Sequence, residues 1–482
     1  MPYSPSGTWP KSRAFALLLA MALGLGGCAQ LPSLDTKARL KPVQEYQTQN
    51  SFDTPSATWP EERWWLAYGD ETLNRLIAEA LENAPDLRVA EARLRRAEAG
   101  TRIVDSANSP QLSANASAEE TKQTYNLLVP RNQLPQGWND YGRVTLDFRW
   151  DLDFWGQNRS ALAAATSELE AGRAELAQAR LMLVSGVAAN YAELSRLYAN
   201  RETSLKAVAI RQKTARLFAE RQANGLETRG SLREADARRA MAEGQLLAIE
   251  EQISLQRNRL AALLGAGPDR GLEIPAPTLK MDHPFGLPAE LKAELLGRRP
   301  DIIAARLRAE AAEKRIDSAK AEFYPNVNLA GFFGYHSLGL DHLFKSGSDT
   351  GSIAPAISLP IFNGGRLKAQ YAGSLAGFEE AVAGYNATVS HALQEVADNA
   401  VSQKALAQQL AKAEEAVEAA TEAHRVASKR YEGGLANYLE VLSAEDGLLA
   451  SLNARTNLRA NAFTLDIALK RALGGGFHSD QR

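Results

Sequence analysis

Few residues in this chain have the type and spacing that chemistry needs. The six histidines, His283, His336, His342, His391, His424 and His478, are scattered. None falls in the His-Glu-x-x-His spacing that sets two imidazoles on one helical face around a metal. Asp151 and Asp153 stand two apart. In an extended segment that spacing makes them neighbours on one polar strand face, a better fit than a metal pair. No Gly-rich loop followed by Lys is present to cradle a phosphate, so any energy-consuming step must draw on a partner. Five methionines give no support to a Met-based copper route. These observations speak against an enzyme and leave one reactive candidate, the single cysteine, Cys28.

Cys28 stands at the end of a distinctive stretch. Lys11 and Arg13 precede an apolar run from Ala14 to Leu25, which closes in Leu25-Gly26-Gly27-Cys28. A basic start, a short apolar run and small residues describe a secretory signal over 1–27, too short for a membrane span. With one cysteine, no internal disulfide can form. Leu-Gly-Gly-Cys resembles the bacterial lipoprotein signal, in which the cysteine is lipidated and becomes the first residue. An Asp after it commonly means inner-membrane retention, so Ala29 is compatible with outer-membrane sorting. The covalent lipid on Cys28 is then the only non-protein group expected, and no other cofactor is. Lipid chains anchor reversibly or stably according to their number.

Those residues need elements to carry them. The chain of 482 residues has a formal net charge of −2, 45% hydrophobic and 23% charged residues. This is the composition of a folded protein with no electrostatic footprint for nucleic acid. No apolar run of about 18 residues follows the signal, so no membrane-spanning helix is expected.

Two long helical hairpins dominate. Asn158 to Arg221 contains no proline and is rich in Ala, Glu, Arg, Leu and Gln, strong helix formers. At about 1.5 Å per residue such a helix is about 95 Å long. A reversal at Asn224-Gly225 leads into a second helix, giving expected spans of 158–222 and 228–264. Leu162, Leu169, Leu176, Leu183 and Leu197 share one sevenfold register, with Asn190 as the exception, and Ala165, Gly172, Ala179 and Gly186 another. On the return helix Leu232, Leu246, Ile253 and Leu260 keep the spacing. Sevenfold spacing marks helices that supercoil. Helices over 366–432 and 436–473, reversing at Gly433-Gly434, repeat it through Leu375, Val382, Val389 and Val396.

The hairpins belong to an internal repeat. Pro85-Asp86 answers Pro300-Asp301 and Pro110 answers Pro325, an offset of 300 − 85 = 215. Gly225 answers Gly434, and Leu264-Gly265 answers Leu473-Gly474, an offset of 434 − 225 = 209. The unit is a short helix, two strands and two long helices. Its copies occupy 61–264 and 289–474, after an extended segment 28–60, with a Pro-rich linker 265–288 and a tail 475–482.

Strands are expected over 111–126, 142–154, 326–337 and 352–362. The second is the clearest. Val144, Leu146, Phe148, Trp150, Leu152 and Phe154 alternate with Arg143, Thr145, Asp147, Arg149, Asp151 and Asp153. A sheet packed on a soluble core shows this pattern, and so does a strand of an outer-membrane barrel. Four strands cannot close a barrel, and open edges in lipid are prohibitive. If the strands enter a membrane, the barrel is shared. Two, three or four chains satisfy that arithmetic, and three give twelve strands and twelve helical arms.

Taken together, these segments resemble the outer-membrane factors, the TolC-like exit ducts of Gram-negative bacteria, in their OprM-like or NodT-type lipoprotein branch. The resemblance covers nearly all the mature chain. It rests on Cys28, on Trp64-Trp65 through Ala92-Arg93, on Arg299-Pro300-Asp301-Ile302 and on Pro325-Asn326-Val327. It rests further on Leu359-Pro360-Ile361-Phe362-Asn363-Gly364-Gly365, and on Arg430-Tyr431-Glu432-Gly433-Gly434-Leu435 with Asn437-Tyr438-Leu439. It implies a mainly α chain with membrane β, forming a homotrimer with a shared 12-stranded barrel in outer-membrane lipid and a long coiled-coil barrel in the periplasm. It further implies a periplasmic adaptor and an inner-membrane pump, commonly a proton-driven one of RND type.

The resemblance also assigns the hairpin ends. The reversal between the last two long helices constricts the periplasmic mouth in this family. Leu435, Leu439 and Ser443 recur every four residues, the spacing of one helical face, and are the expected aperture. Ser443 departs from the Asp common in relatives, and Glu440 and Asp446 are the carboxylates near enough in sequence to replace it. The tips Asn224, Gly225, Leu226, Gly433 and Gly434 are the expected adaptor contacts, although reversals also need glycine for positive φ. The expected function is a passive exit duct for drugs or small molecules. Two alternatives are a duct for type I protein secretion and a lipid-anchored periplasmic scaffold without a pore.

Overall fold

The computed structural model describes residues 35–48, 50–52, 55, 57–126, 130–278, 287–288 and 291–478. Cys28, the signal 1–27 and much of the linker and tail lie outside the described residues. The helices are α1 (Glu71–Asn83), α2 (Pro85–Ser106), α3 (Gln157–Ala223), α4 (Arg229–Leu263), α5 (Asp269–Leu272), α6 (Leu291–Arg298), α7 (Pro300–Ala321), α8 (Arg366–Glu432) and α9 (Tyr438–Ala472). The strands are β1 (Gln111–Thr121), β2 (Asn139–Leu152), β3 (Asn326–Leu338) and β4 (Asp349–Ser358). Among the described residues no helix is long and apolar enough to cross a membrane.

The chain divides into two compact units, and each draws on both repeats. Among the described residues, the first draws on 35–39, 95–171 and 306–384, and the second on 40–94, 172–305 and 385–478. The repeats at 61–264 and 289–474 are therefore units of sequence and not of packing, because each gives a strand pair to one unit and a hairpin to the other.

The first unit holds one antiparallel sheet in the order β1-β2-β3-β4. Directly opposed residues share a face. Leu146 opposes Ala114 and Phe333, Trp150 opposes Leu329, Leu152 opposes Val327, and Val327 opposes Ile357. The register thus collects the apolar sets of all four strands on one side. That side is bare in the single chain: Leu112, Leu146, Phe333, Ile353 and Ile357 are all exposed. The other side is polar. Asn115 Nδ2 and Thr145 Oγ1 both donate to Asp147 Oδ2 at 2.8 Å, and the Arg143 guanidinium lies 5.4 Å from the Phe332 ring centre. β1 and β4 are edge strands with no partner on their outer sides among the described residues.

Several strand limits differ from expectation, for local reasons. β1 stops at Thr121 and not 126, because its partner β2 begins at Asn139. β2 runs over Asn139–Leu152 and not 142–154; Phe154 N–H turns back to Leu152 O at 2.9 Å, and Gly156 at φ 80° swings the chain into α3. β4 runs over Asp349–Ser358 and not 352–362, because its partner β3 begins at Asn326, opposite Ser358. Ile361 and Phe362 therefore lie beyond the sheet and are exposed.

In the second unit two apolar clusters hold the short helices to the long ones. Trp64, Tyr68, Leu76 and Ile77 pack with Val187, Tyr191, Leu194 and Leu260; Leu295 and Ile302 pack with Val389, Val396 and Leu473. Asp70 caps α1, accepting from Thr72 N–H and Leu73 N–H at 2.8 and 3.0 Å. The same carboxylate accepts from Tyr191 Oη and from Thr278 N–H and Oγ1. Burial alone would push its pKa up, but these bonds hold it below the ordinary carboxylate range.

The heptads sort unevenly. Val382, Val389, Val396 and Val417 are buried, whereas Leu169, Leu176 and Leu183 are only half-buried. In the middle of α3 the buried residues keep other registers, through Val184 and Tyr191 and through Val187 and Leu194, and the Leu162 register itself becomes buried only from Leu197 on, at Leu197, Arg211 and Phe218.

Candidate functional site

The two hairpin ends, both in the second unit, share one backbone design. Gly225 and Gly434 adopt φ of 73° and 75°. Around them Leu226 N–H reaches back to Arg221 O, and Leu435 N–H to Arg430 O, each at 2.8 Å. A left-handed glycine with this six-to-one bond closes the last turn of each long helix. The return helices then start in the same way. Thr228 Oγ1 accepts from Ser231 N–H, and Asn437 Oδ1 from Glu440 N–H, both at 3.1 Å. Asn224, Gly225, Leu226, Gly433 and Gly434 are all exposed at these ends.

One expectation about the aperture residues is corrected. Helix α9 begins at Tyr438 and not at 436, because Asn437 is its cap. Leu435 therefore belongs to the turn, and only Leu439 and Ser443 share a helical face. All three are exposed in the single chain, Leu435 at 74% and Leu439 at 53%. No apolar partner among the described residues covers these leucines.

Beneath the tips lies a small core. Phe218, fully buried, meets Tyr431 at 5.3 Å and Tyr438 at 6.0 Å between ring centres. Tyr431 bridges the two hairpins, donating from Oη to Glu227 Oε2 at 2.7 Å while the Arg221 guanidinium stacks 4.5 Å from its ring centre. Glu227 also accepts from Ser231 Oγ and Thr228 N–H. Partial burial pushes the Glu227 carboxyl up, but the bonds from Tyr431, Ser231 and Thr228 outweigh it and hold it below its ordinary value. Burial raises the Tyr431 hydroxyl, and Glu227 raises it further, so it stays a proton donor.

About two turns further in, the hairpins are joined by charge. Arg211 Nε lies 2.9 Å from Glu445 Oε1, off the hydrogen-bond direction, and Glu445 is wholly buried. Thr214 Oγ1 donates to Glu445 Oε2 at 2.8 Å. Asp446 takes a bond from Arg211 and a second from Arg238 at 2.6 Å. Burial lifts the Glu445 carboxyl above its usual range despite Arg211. Asp446 is likewise pushed up by burial, but Arg238 and Arg211 bring it below the usual range. Asp446 is thus tied within the chain, and Glu440 stands 3.4 Å from Arg430. Of the two carboxylates near Ser443, Asp446 is held by two arginines and Glu440 only by an exposed pair with Arg430.

Local sequence gave no sight of these cross-hairpin bonds, since Tyr431 and Glu227 are 204 residues apart and Arg211 and Asp446 are 235 apart. One trace was present. Arg211 continues the Leu162–Leu197 register, so a charge stands where the stripe calls for an apolar side chain. Among the described residues no group of His, Cys, Asp or Glu is placed to hold a metal.

Known proteins resemble this chain over most of its length. The profile of the outer membrane efflux protein family matches residues 76–266 and 291–475. The multidrug resistance outer membrane protein MdtP of Escherichia coli K12 is 31% identical over 474 residues, covering 96% of this chain and 97% of MdtP. The fusaric acid resistance protein FusA of Burkholderia cepacia is 35% identical over 373 residues, covering 75% of this chain and 69% of FusA. The crystal structure of the outer membrane protein VceC from Vibrio cholerae superposes with a TM-score of 0.83 at 49% identity, covering 87% of this chain and all of VceC.

Proposed function

The chain belongs to the outer membrane efflux protein family, and on that premise we propose that it is the exit duct of a tripartite efflux system. Its fold is that of the TolC-like outer-membrane channels, and the family is one of efflux channels and not of enzymes. In this reading three chains close a 12-stranded barrel, and drugs or small molecules pass outward from a periplasmic adaptor and an inner-membrane pump of the proton-driven RND type. Cys28 carries the lipid anchor. Leu435, Leu439 and Ser443 narrow the periplasmic mouth, and the tips at Asn224–Leu226 and Gly433–Gly434 meet the adaptor.

The observation that carries this reading is the sheet. Its apolar face is bare and both edges are open. Unpaired backbone groups cannot face lipid, so such a sheet enters a bilayer only when copies pair edge to edge into a closed barrel. The bare leucines of the second tip suit an apolar plug about a shared axis. Light scattering of the detergent-solubilised protein tests the assembly. Particles of three chains are expected, and a monodisperse monomer would overturn the shared barrel.

A further inference from the structure

Within the second unit a half-open cleft of about 820 Å³ lies between the turn carrying Trp64 and Trp65, helix α1, the middle of α3 and the glycines Gly474–Gly476. That volume is within the range of small-molecule sites, roughly 300–1,000 Å³. A missing side chain keeps it open. Gly475 has φ 59°, and a Cβ there would strike the Leu181 side chain and stand 3.4 Å from Trp64 Nε1.

The cleft presents polar groups without partners. Trp64 is only 4% exposed, its ring held edge-on by Trp65 at 5.9 Å and Tyr68 at 6.0 Å. Its indole N–H has no acceptor among the described residues and is not sealed from solvent, so it is open to a molecule in the cleft. Arg63 and Arg180 line the cleft, exposed and without an ion pair among the described residues, against one carboxylate, Glu62. Leu81, Leu181 and the Trp65 ring supply apolar wall.

We propose that this cleft is a binding site for a small amphipathic organic anion. Its apolar body lies on Trp65, Leu81 and Leu181. An oxygen accepts from Trp64 Nε1–H, and the carboxylate faces Arg63 and Arg180. The assignment is separate from the aperture, since none of these residues belongs to the hairpin ends.

The probe is 6-hydroxy-2-naphthoate, with 2-naphthol as its counterpart without a carboxylate. The full-length protein in detergent is titrated by calorimetry, with empty micelles subtracted. Saturable binding at one site per chain is expected. Trp64→Phe keeps the ring and removes the donor, and should weaken binding about two- to tenfold. Arg180→Gln, an exposed change that leaves packing intact, should weaken the naphthoate about tenfold and leave naphthol unchanged. Partition no different from micelles, or binding indifferent to both substitutions, overturns the proposal. Protein that conducts ions in a bilayer yet binds no naphthoate overturns the cleft assignment alone and leaves the duct standing.

Discussion

The two hairpin ends are copies in backbone and strangers in chemistry. At an offset of 209, Gly225 and Gly434, Leu226 and Leu435, and the caps Thr228 and Asn437 correspond. The side chains that touch nothing but solvent or the opposite hairpin do not. Leu439 stands where the first end has Gly230, Tyr431 where it has Gln222, and Ser443 where it has Glu234. Arg211 of the first hairpin corresponds to Ala420 of the second. The reversal is a fixed solution to turning one long helix into another. What the ends do is set by the handful of positions free of that duty. The second end carries the bare leucines, and the first supplies Glu227 and Arg211 that hold it in place.

The largest expected effect breaks the charged link between the hairpins. Arg211→Met should leave Glu445 buried and unpaired, at a cost of about 3–5 kcal/mol, read as a lowered denaturation midpoint. Adding Glu445→Gln should recover much of the loss, because the stranded charge is then gone. A single substitution with no change in midpoint would contradict the link.

Next, Leu439→Ser should raise the resting conductance of the channel, while Gly230→Ser at the matching position of the first end should not. Equal effects at both would erase the functional asymmetry of the two ends. Smaller again is the bond from Tyr431. Tyr431→Phe should cost about 1 kcal/mol and also blunt a pH response. Glu227 is depressed in the folded protein, so its contribution is present above the ordinary Glu pKa and fades as pH falls through its folded value. Glu445 is raised, so its contribution has the opposite sign: present below the ordinary value and lost as pH rises through the folded one. Glu227→Gln should abolish the acid-side loss only, as followed by denaturation midpoints across that range. The smallest effect sharpens the shared design. Thr228→Ala and Asn437→Ala should each cost about 1 kcal/mol, because each side chain accepts one backbone N–H at the start of its helix.

The elements were legible because their physics is local. Helix α3 could be read from propensity and heptads, and β2 from strict alternation. The sheet order was not local, but its apolar face followed once Val327, Leu329 and Phe333 were seen to alternate like Leu146 and Trp150. Failures came where a partner strand or a cap overruled a pattern. β4 ended at Ser358 because its partner β3 begins at Asn326, and Asn437 delayed α9 so that Leu435 fell in the turn. At the hairpin ends the exposed Leu435 and Leu439 could be named from the sequence. The restraints on them could not, since Tyr431, Glu227, Arg211 and Glu445 meet only through folding. Arg211 in a leucine register was the one local hint.

Single-channel recording of the purified full-length protein in a planar lipid bilayer tests the central claim most directly. A continuous aqueous duct predicts discrete, long-lived ion-conducting events, larger or more frequent after Leu439→Ser. Correctly processed protein that inserts into the bilayer and passes no ions, in wild type and in Leu439→Ser alike, would contradict it.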